Sequence, residues 1–380
     1  MPRDSMKVLL INPNNPFNSY RVPAFPRWAS WVTKKMNFRA RGVVPPLNLA
    51  ILAAHTPSDI EVQIMDECIE PLDFDTDADL VGITAMTNMA PAAYQIADKF
   101  RARGKTVVLG GVHVTVCPEE AAPHADAVVV GEAEYLWPRL LEDYRKGKLE
   151  KLYRADRLYD MQGSPSPRRD LLKLDHYMIP LTVETARGCP FDCDFCSVSR
   201  TAGRSYRFRP LELVQEELRS FGPNRGVLFI DDIINGHRKH ARELFQTITP
   251  LKIRWFGQAT MLLAQDEELL EVARAAGCAI LFIGFETFSN AGLKKLGKPA
   301  DWRARFFDVV KRLHEKQIAI WGAFVLGLDS DTRESLQETV QVIKEAKLEF
   351  AQFCIQTPLP GTALYRQYVA EGRLRETDWS

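Results

Sequence analysis

Hydrophobic positions along the chain follow two successive rhythms. In the first stretch, Lys7–Asn12 (KVLLIN), Glu61–Met65, Leu80–Thr84, Thr106–Leu109 and Ala127–Val130 are short, continuously apolar runs. Runs without alternation suit strands of a parallel sheet buried on both faces. Between them the apolar spacing becomes helical over Leu47–Ala54, Pro91–Arg103 and Ala133–Lys146, with Pro91 near a helix start and Gly104 just past an end. Alternating strands and helices predict a doubly wound, Rossmann-like α/β domain over residues 1–150.

A polar stretch follows, Tyr153–Asp175, with Gly163-Ser164-Pro165-Ser166-Pro167 at its centre, and reads as a linker within 151–180. From Leu181 the second rhythm begins. Strands are expected at Thr182–Ala186, Val227–Asp231, Ile253–Gln258, Ile280–Phe285, Ile318–Leu326 and Ala351–Gln356. Each precedes a helical pattern: Leu211–Phe221, Lys239–Thr247, Asp266–Ala276, Trp302–Lys316, Thr332–Ala346 and Ala363–Glu371. A full eight-fold barrel takes about 250 residues. Six units in residues 181–380 predict a partial (βα)6 barrel, and ligands of such α/β folds gather outside the strand C-termini.

Composition adds limits. The chain has 380 residues, 46% hydrophobic and 26% charged, with 49 Lys+Arg against 49 Asp+Glu, as in an ordinary soluble protein of two or three domains. Zero formal charge argues against a dedicated nucleic-acid binder. No apolar run reaches the length of a membrane span, and the start MPRDSMKVLLINPNNP lacks a signal-peptide plan, so a cytoplasmic location is expected. Residues 5–58 hold seven bases and no acid, with Phe17, Tyr20, Phe25, Trp28, Trp31 and Phe38 interleaved. Two readings stand for this segment: a solvated stretch packing its rings on a neighbouring domain, or a cap over an amphiphilic ligand or a membrane surface.

The cysteines stand out. Of seven, Cys189, Cys193 and Cys196 fall within Arg187-Gly188-Cys189-Pro190-Phe191-Asp192-Cys193-Asp194-Phe195-Cys196, directly after the first strand of the second rhythm. Disulfides are not expected in a cytosolic chain, so the cluster reads as metal-binding or catalytic. Three thiolates on one loop can hold three irons of a [4Fe–4S] cluster and leave the fourth open. Zinc is the competing reading, but a structural zinc site completes four ligands, and here there is no second cysteine pair; His176, His237 and His240 do not supply one. Three purely structural cysteines are the remaining alternative.

C-x3-C-x2-C with an aromatic before the last cysteine resembles the motif of the radical S-adenosylmethionine (SAM) superfamily. The resemblance implies that Cys189, Cys193 and Cys196 ligate the cluster, that Phe195 lies near the adenine of SAM, and that the open iron chelates SAM for reductive cleavage to a 5′-deoxyadenosyl radical. It further implies SAM contacts from Asp231 and Asp232 after the second barrel strand, from Glu286 in Gly284-Phe285-Glu286-Thr287, and from Gly322 and Gly327 of the fifth-strand segment. A helix N-cap competes for the aspartate pair, and a plain buried strand and turn compete for the glycines.

Three strand-end loops of the first domain carry Thr84-Ala85-Met86-Thr87, Gly110-Gly111-Val112-His113 and Gly131-Glu132-Ala133-Glu134. Glycines after a strand let backbone approach a ligand. With the order of elements, these loops resemble the cobalamin-binding domain that precedes the barrel in the B12-binding radical SAM family. The resemblance runs from Lys7 to Trp379 and implies cobalamin contacts from Thr84, Met86, Gly110, Gly111, His113, Gly131 and Glu132. The D-x-H-x-x-G motif of many cobalamin domains is Asp66-Glu67-Cys68-Ile69-Glu70-Pro71 here and lacks its His. His113 reads equally as a solvated loop histidine, and Cys68 as a small buried residue.

The function implied is a cobalamin-dependent radical SAM methyltransferase acting on an unactivated carbon of a small-molecule or lipid-like substrate. It would be driven by an external one-electron reductant such as flavodoxin or ferredoxin. A radical cyclase, C–C coupling or oxidative enzyme, in which cobalamin is not a methyl carrier, is the first alternative, and a non-catalytic cluster-binding sensor the second. The chain ends where similar sequences usually continue, so a short member with an open barrel and a truncated sequence are both expected forms.

Overall fold

The computed structural model describes residues 6–14, 40–295, 301–376 and 378–379. Most of the basic, aromatic segment, including Trp28, Trp31, Lys34 and Lys35, lies outside the described residues. The chain forms two compact units, Met1–Thr182 with Arg200–Ala202 and Leu359–Ser380, and Val183–Ser199 with Gly203–Pro358. Among the described residues no helix is long and apolar enough to cross a membrane.

The first unit is built on a six-stranded sheet in the order β2-β1-β3-β4-β5-β6. Its strands are β1 (Lys7–Asn12), β2 (Glu61–Asp66), β3 (Leu80–Thr84), β4 (Thr106–Gly110), β5 (Ala127–Val130) and β6 (Leu152–Arg154). Every neighbouring pair is parallel. The period of two explains the double winding. Val8 and Leu10 of β1 pack with Leu49, Ala50 and Ala53 of α1 (Leu47–Ala54), while Leu9 and Ile11 pack with Ala93, Ala97 and Phe100 of α2 (Ala90–Arg101). The order reverses between β1 and β3, a topological switch point where α/β sheets open a ligand crevice at the strand C-termini.

Two features depart from the sequence expectation. Leu152–Arg154, within the stretch read as linker, is the sixth strand, paired Val128↔Leu152 to Val130↔Arg154. Only Tyr153 of its three residues is buried, too short a pattern to show periodicity. After β4, the β-branched run Val112-His113-Val114-Thr115-Val116 forms α3 (Val112–Val116), and Pro118 starts α4 (Pro118–Ala121), before α5 (Leu136–Arg145) covers β5 and β6. Gly111, at φ 101°, turns the chain into α3.

The second unit carries a six-stranded sheet in the order β14-β13-β12-β11-β10-β7, the sequential order of a partial (βα)6 barrel. The strands are β7 (Thr182–Val183), β10 (Gly226–Phe229), β11 (Arg254–Ala259), β12 (Cys278–Glu286), β13 (Ala319–Leu326) and β14 (Phe350–Ile355). The helices Leu211–Ser220, Arg238–Ile248, Glu267–Ala275, Trp302–Glu315 and Arg333–Ala346 lie within two residues of the bounds that periodicity predicts. The expected first strand, Thr182–Ala186, is broken. After β7 the chain leaves the sheet, and β8 (Ala186–Arg187) pairs antiparallel with β9 (Arg207–Phe208).

At the N-terminal end of β12, Gly277 sits at φ 93°, and a Cβ there would run into the Ile253 carbonyl oxygen. Its own carbonyl accepts from Trp255 N–H at 3.0 Å, so the backbone cannot move aside freely. Gly277→Ala is expected to destabilise the second unit by about 1–3 kcal/mol or more through left-handed strain and overlap. An unchanged unfolding midpoint in urea would show that this turn relaxes without loss.

Candidate active site

The cysteine loop is held by what precedes it. Asp231, just past the end of β10, is buried, and its carboxylate accepts from Thr185 N–H at 2.6 Å and from the Thr185 hydroxyl. That claims the backbone donor that would have continued β7 and explains the broken strand. Arg209, 3% exposed, donates to the Glu184 carbonyl at 3.0 Å and to the Glu217 carboxylate at 2.7 Å, and its N–H donates to the Thr185 carbonyl at 2.9 Å. Arg187 makes a two-pronged pair with Glu184, both contacts at 2.9 Å. Residues 184–187 are thus anchored from three directions before Gly188, at φ 103°, opens the loop.

Cys189 is buried, Cys196 half-buried and Cys193 exposed, and none is in a disulfide. The loop is stapled by Cys189 N–H to the Gly203 carbonyl and Cys196 N–H to the Cys193 carbonyl, each 3.1 Å. Phe195 is half-buried on it. Burial pushes the Cys196 thiol up, and the Asp232 and Glu286 carboxylates push it in the same direction. Burial also raises Cys189, with Cys196 and Asp232 adding to it and a backbone donor opposing. Cys189, Cys196, Asp232 and Glu286 therefore share one electrostatic neighbourhood. Among the described residues the three cysteine sulfurs do not all converge within 4.8 Å, whereas the ligand atoms of His113, Cys117 and Glu120 do.

The two aspartates divide. Asp231 points inward to Thr185, and Asp232 faces the loop, where burial and Glu184 lift its carboxyl to about 6 against the opposing Arg187 charge and Gly188 backbone. Glu286 ends β12 beyond a register shift at Gly284/Glu286 and holds φ 67°, a left-handed conformation unusual for a side-chain-bearing residue. Its carboxylate lies over Gly284, where a Cβ would collide with it. Gly322 is on the packed face of β13, where a Cβ would meet Leu348 at 2.9 Å and Phe285 and Phe324 at 3.1 Å. Gly327, at φ 85°, forms a turn whose N–H donates to Asp331 at 2.8 Å. Both glycines thus have structural duties.

In the first unit the β3 and β4 loops are stitched together. Ala85 N–H donates to the Gly110 carbonyl at 2.9 Å, and His113 N–H to the Ala85 carbonyl at 3.0 Å. A Cβ on Gly111 would meet the Thr84 hydroxyl at 2.7 Å and Ala85 N at 2.8 Å, so only glycine fits. Thr84 accepts from Asn48 at 3.3 Å, and Met86 is 53% exposed at the rim. Gly131, at φ 92°, donates to the Thr115 hydroxyl at 3.0 Å, and Glu132 accepts from Tyr159 N–H at 2.5 Å. The His113 ring is neither solvated nor at the rim: it is fully buried, with Nδ1 3.3 Å from the Thr87 hydroxyl and Nε2 3.2 Å from Glu120. Cys68 is buried beside Asp66, whose carboxylate accepts from Cys68 N–H and Asn12 at 2.9 Å and from the Tyr177 hydroxyl at 2.7 Å.

Burial lifts the Asp231 carboxyl to about 7, against the Thr185 and Ala186 donors that favour its charged form. The folded chain then keeps a proton that the unfolded chain releases. This group's contribution to stability should therefore fall as pH rises from about 4 to about 7, by at most about 1.4 kcal/mol per pH unit, and level off above. Asn at this position mimics the protonated acid. Asp231→Asn is expected to flatten the fall in unfolding midpoint between about pH 5.5 and pH 8; equal slopes in both proteins would contradict it.

Known proteins share both halves. The B12 binding domain family matches residues 33–141, and the Radical SAM superfamily matches residues 183–343. The chain is 34% identical to bacteriochlorophyllide d C-12(1)-methyltransferase of Chlorobaculum tepidum over 88% of this chain and 75% of that one. It is 28% identical to hopanoid C-2 methylase of Rhodopseudomonas palustris over 88% of this chain and 64% of that one. In fold it is similar to the radical S-adenosylmethionine methyltransferase TsrM of Kitasatospora setae, solved with cobalamin and a [4Fe-4S] cluster bound, with a TM-score of 0.73, 16% identity, and coverage of 97% and 78% of the two chains. The chain belongs to the B12-binding radical SAM family, and it is a radical SAM enzyme whose cofactors are a [4Fe–4S] cluster, S-adenosylmethionine and cobalamin.

Proposed function

We propose that this enzyme is a C-methyltransferase acting on an unactivated carbon of a small-molecule or lipid-like substrate. The observation that carries the reading is the approach of Asp232 and Glu286, from two further strand ends, to Cys189 and Cys196 of the three-cysteine loop, in a chain that also has a B12-binding domain. The named activities of its methyltransferase relatives support it. Three cysteines outside disulfides on one short loop fit three irons of a cluster, and the loop adds no fourth protein ligand of the kind a structural zinc site completes.

When bound, the cofactors supply one-electron cleavage of a sulfonium, the radical that follows, and methyl carriage. The chain's own residues bind and orient. Cys189, Cys193 and Cys196 hold the cluster, and the clamp on residues 184–187 keeps their loop in place. Asp232 and Glu286 take the ammonium and ribose hydroxyls of SAM, Phe195 lies beside its adenine, and Gly322 and Gly327 shape the β13 wall. Asp231 acts one step removed, through Thr185. In the first unit, Thr84, Met86, Gly110, Gly111, Gly131 and Glu132 form the rim that meets the corrin. His113 supports that rim from inside, and both it and Cys68 are buried. The electron comes from a one-electron donor of the flavodoxin or ferredoxin class.

Anaerobic turnover with SAM and reductant is expected to give 5′-deoxyadenosine and S-adenosylhomocysteine together, and Cys193→Ala to lose cluster iron and both products. Glu286→Gln should keep its iron but raise the KM for SAM about 10-fold or more, as the loss of a charged hydrogen bond implies. 5′-Deoxyadenosine without S-adenosylhomocysteine, in protein that holds cobalamin, would refute methyl transfer and point to a cyclase, coupling or oxidative enzyme.

A further inference from the structure

We propose that His113, Cys117 and Glu120 form a binding site for one borderline divalent cation, of which zinc is the best fit, apart from the cysteine loop of the second unit. The side chains follow the spacing His-x3-Cys-x2-Glu, which brings positions on successive helical turns to one face. Their ligand atoms, a ring nitrogen, a sulfur and a carboxylate oxygen, all lie within 4.8 Å of one another. Each comes from a different local setting. His113 is on α3, Glu120 on α4, and Cys117 at the break between them, with φ −133° and ψ 55°.

The surroundings have the form of an outer shell around a metal. A metal-bound imidazole is normally oriented by a hydrogen bond to its other nitrogen. Here Nδ1 of the fully buried His113 is 3.3 Å from the Thr87 hydroxyl, which leaves Nε2 facing Glu120 at 3.2 Å. Tyr94 is the independent observation. It is 8% exposed, and its hydroxyl lies beside Glu120 and Cys117 without a hydrogen bond of good geometry to either. A water in the fourth position of a tetrahedral ion would give that hydroxyl a partner. The Trp379 ring packs edge-on against His113 at 6.3 Å between centroids and adds apolar cover.

Glu119 and Glu120 set two carboxylates beside the Cys117 thiol, a local excess of negative charge that suits a cation, while burial holds the proton on the sulfur until an ion replaces it. Zinc would displace that proton to solvent as the Zn–S bond forms, with Glu120 as the second anionic ligand and His113 neutral, giving one N, one S and one O donor plus water. The ion would lock the α3–α4 turn, and through Thr87 and the Ala85–His113 hydrogen bond it would stiffen the β3 and β4 loops together.

The test uses the anaerobically purified, cluster-containing enzyme, exposed to zinc sulfate and desalted, with zinc, iron and corrin each counted per chain. Wild type should retain one zinc. Cys117→Ser and Glu120→Gln, at partly exposed positions that leave the fold intact, should lose at least about nine-tenths of it at unchanged iron and corrin. Zinc K-edge absorption should report one sulfur at about 2.3 Å and nitrogen or oxygen ligands at about 2.0–2.2 Å. No retained zinc, zinc undiminished in Cys117→Ser, or a shell of three sulfurs, which would place the ion on Cys189, Cys193 and Cys196, would each overturn the proposal.

Discussion

The second unit's functional loop depends on one buried carboxylate. Asp231 holds Thr185 by its backbone N–H and by its hydroxyl, in a place where water cannot substitute. Removing that acceptor would strand a buried N–H, worth about 1–3 kcal/mol. Because Thr185 is held this way, β7 stops at Val183, residues 186–187 pair with β9, and the chain turns through Gly188 into the cysteines. The buried Arg209–Glu217 pair secures the adjoining carbonyls. Such a pair adds little net stability over an apolar substitute, but breaking it would leave an uncompensated charge. Its contribution here is position.

The same constraint divides the Asp231-Asp232 doublet. Asp231 is turned to Thr185, and Asp232, in the bend that follows, lies beside Arg187 and Gly188 at the start of the cysteine loop. Read as a string, the doublet offers two equivalent ligands or an N-cap. Folded, one member orders the scaffold and the other faces the loop. No local signal could have told them apart, because the deciding partner, Thr185, is 46 positions away in sequence.

That distance separates what was legible from what was not. Strands such as Leu80–Thr84 and Ala127–Val130 were readable to the residue, because a parallel sheet buried on both faces needs unbroken apolar runs. The cysteine loop was readable because its chemistry is packed into one short segment. β6 was missed because a single buried Tyr153 leaves no period to detect. The α3 turn was missed because Val-His-Val-Thr-Val has the composition of a strand, and tertiary packing after Gly111 overrode it. The clamp of Arg209 on Glu184 joins residues 25 apart, and nothing in either segment announces the other. His113 was legible as a position but not as an environment: a histidine after two glycines suggests an exposed loop, yet its ring is wholly enclosed.

Backbone conformation at the strand ends carries the last step. Where the chain must turn sharply beside another backbone, as at Gly111 against Thr84 and Ala85, glycine satisfies both space and φ, and any side chain would forfeit the turn. β12 ends differently. Glu286 occupies a positive φ that glycine would adopt without strain, at roughly 1–3 kcal/mol. The bulge at Gly284 makes room for its carboxylate, which a Cβ on that glycine would block. Strain at position 286 and absence of a side chain at 284 serve the same end, a carboxylate folded over Gly284 within electrostatic reach of Cys196. Glycine at 286 would relieve the φ and a side chain at 284 would displace the carboxylate, so the conformation of this strand end and the position of the Glu286 carboxylate are set together.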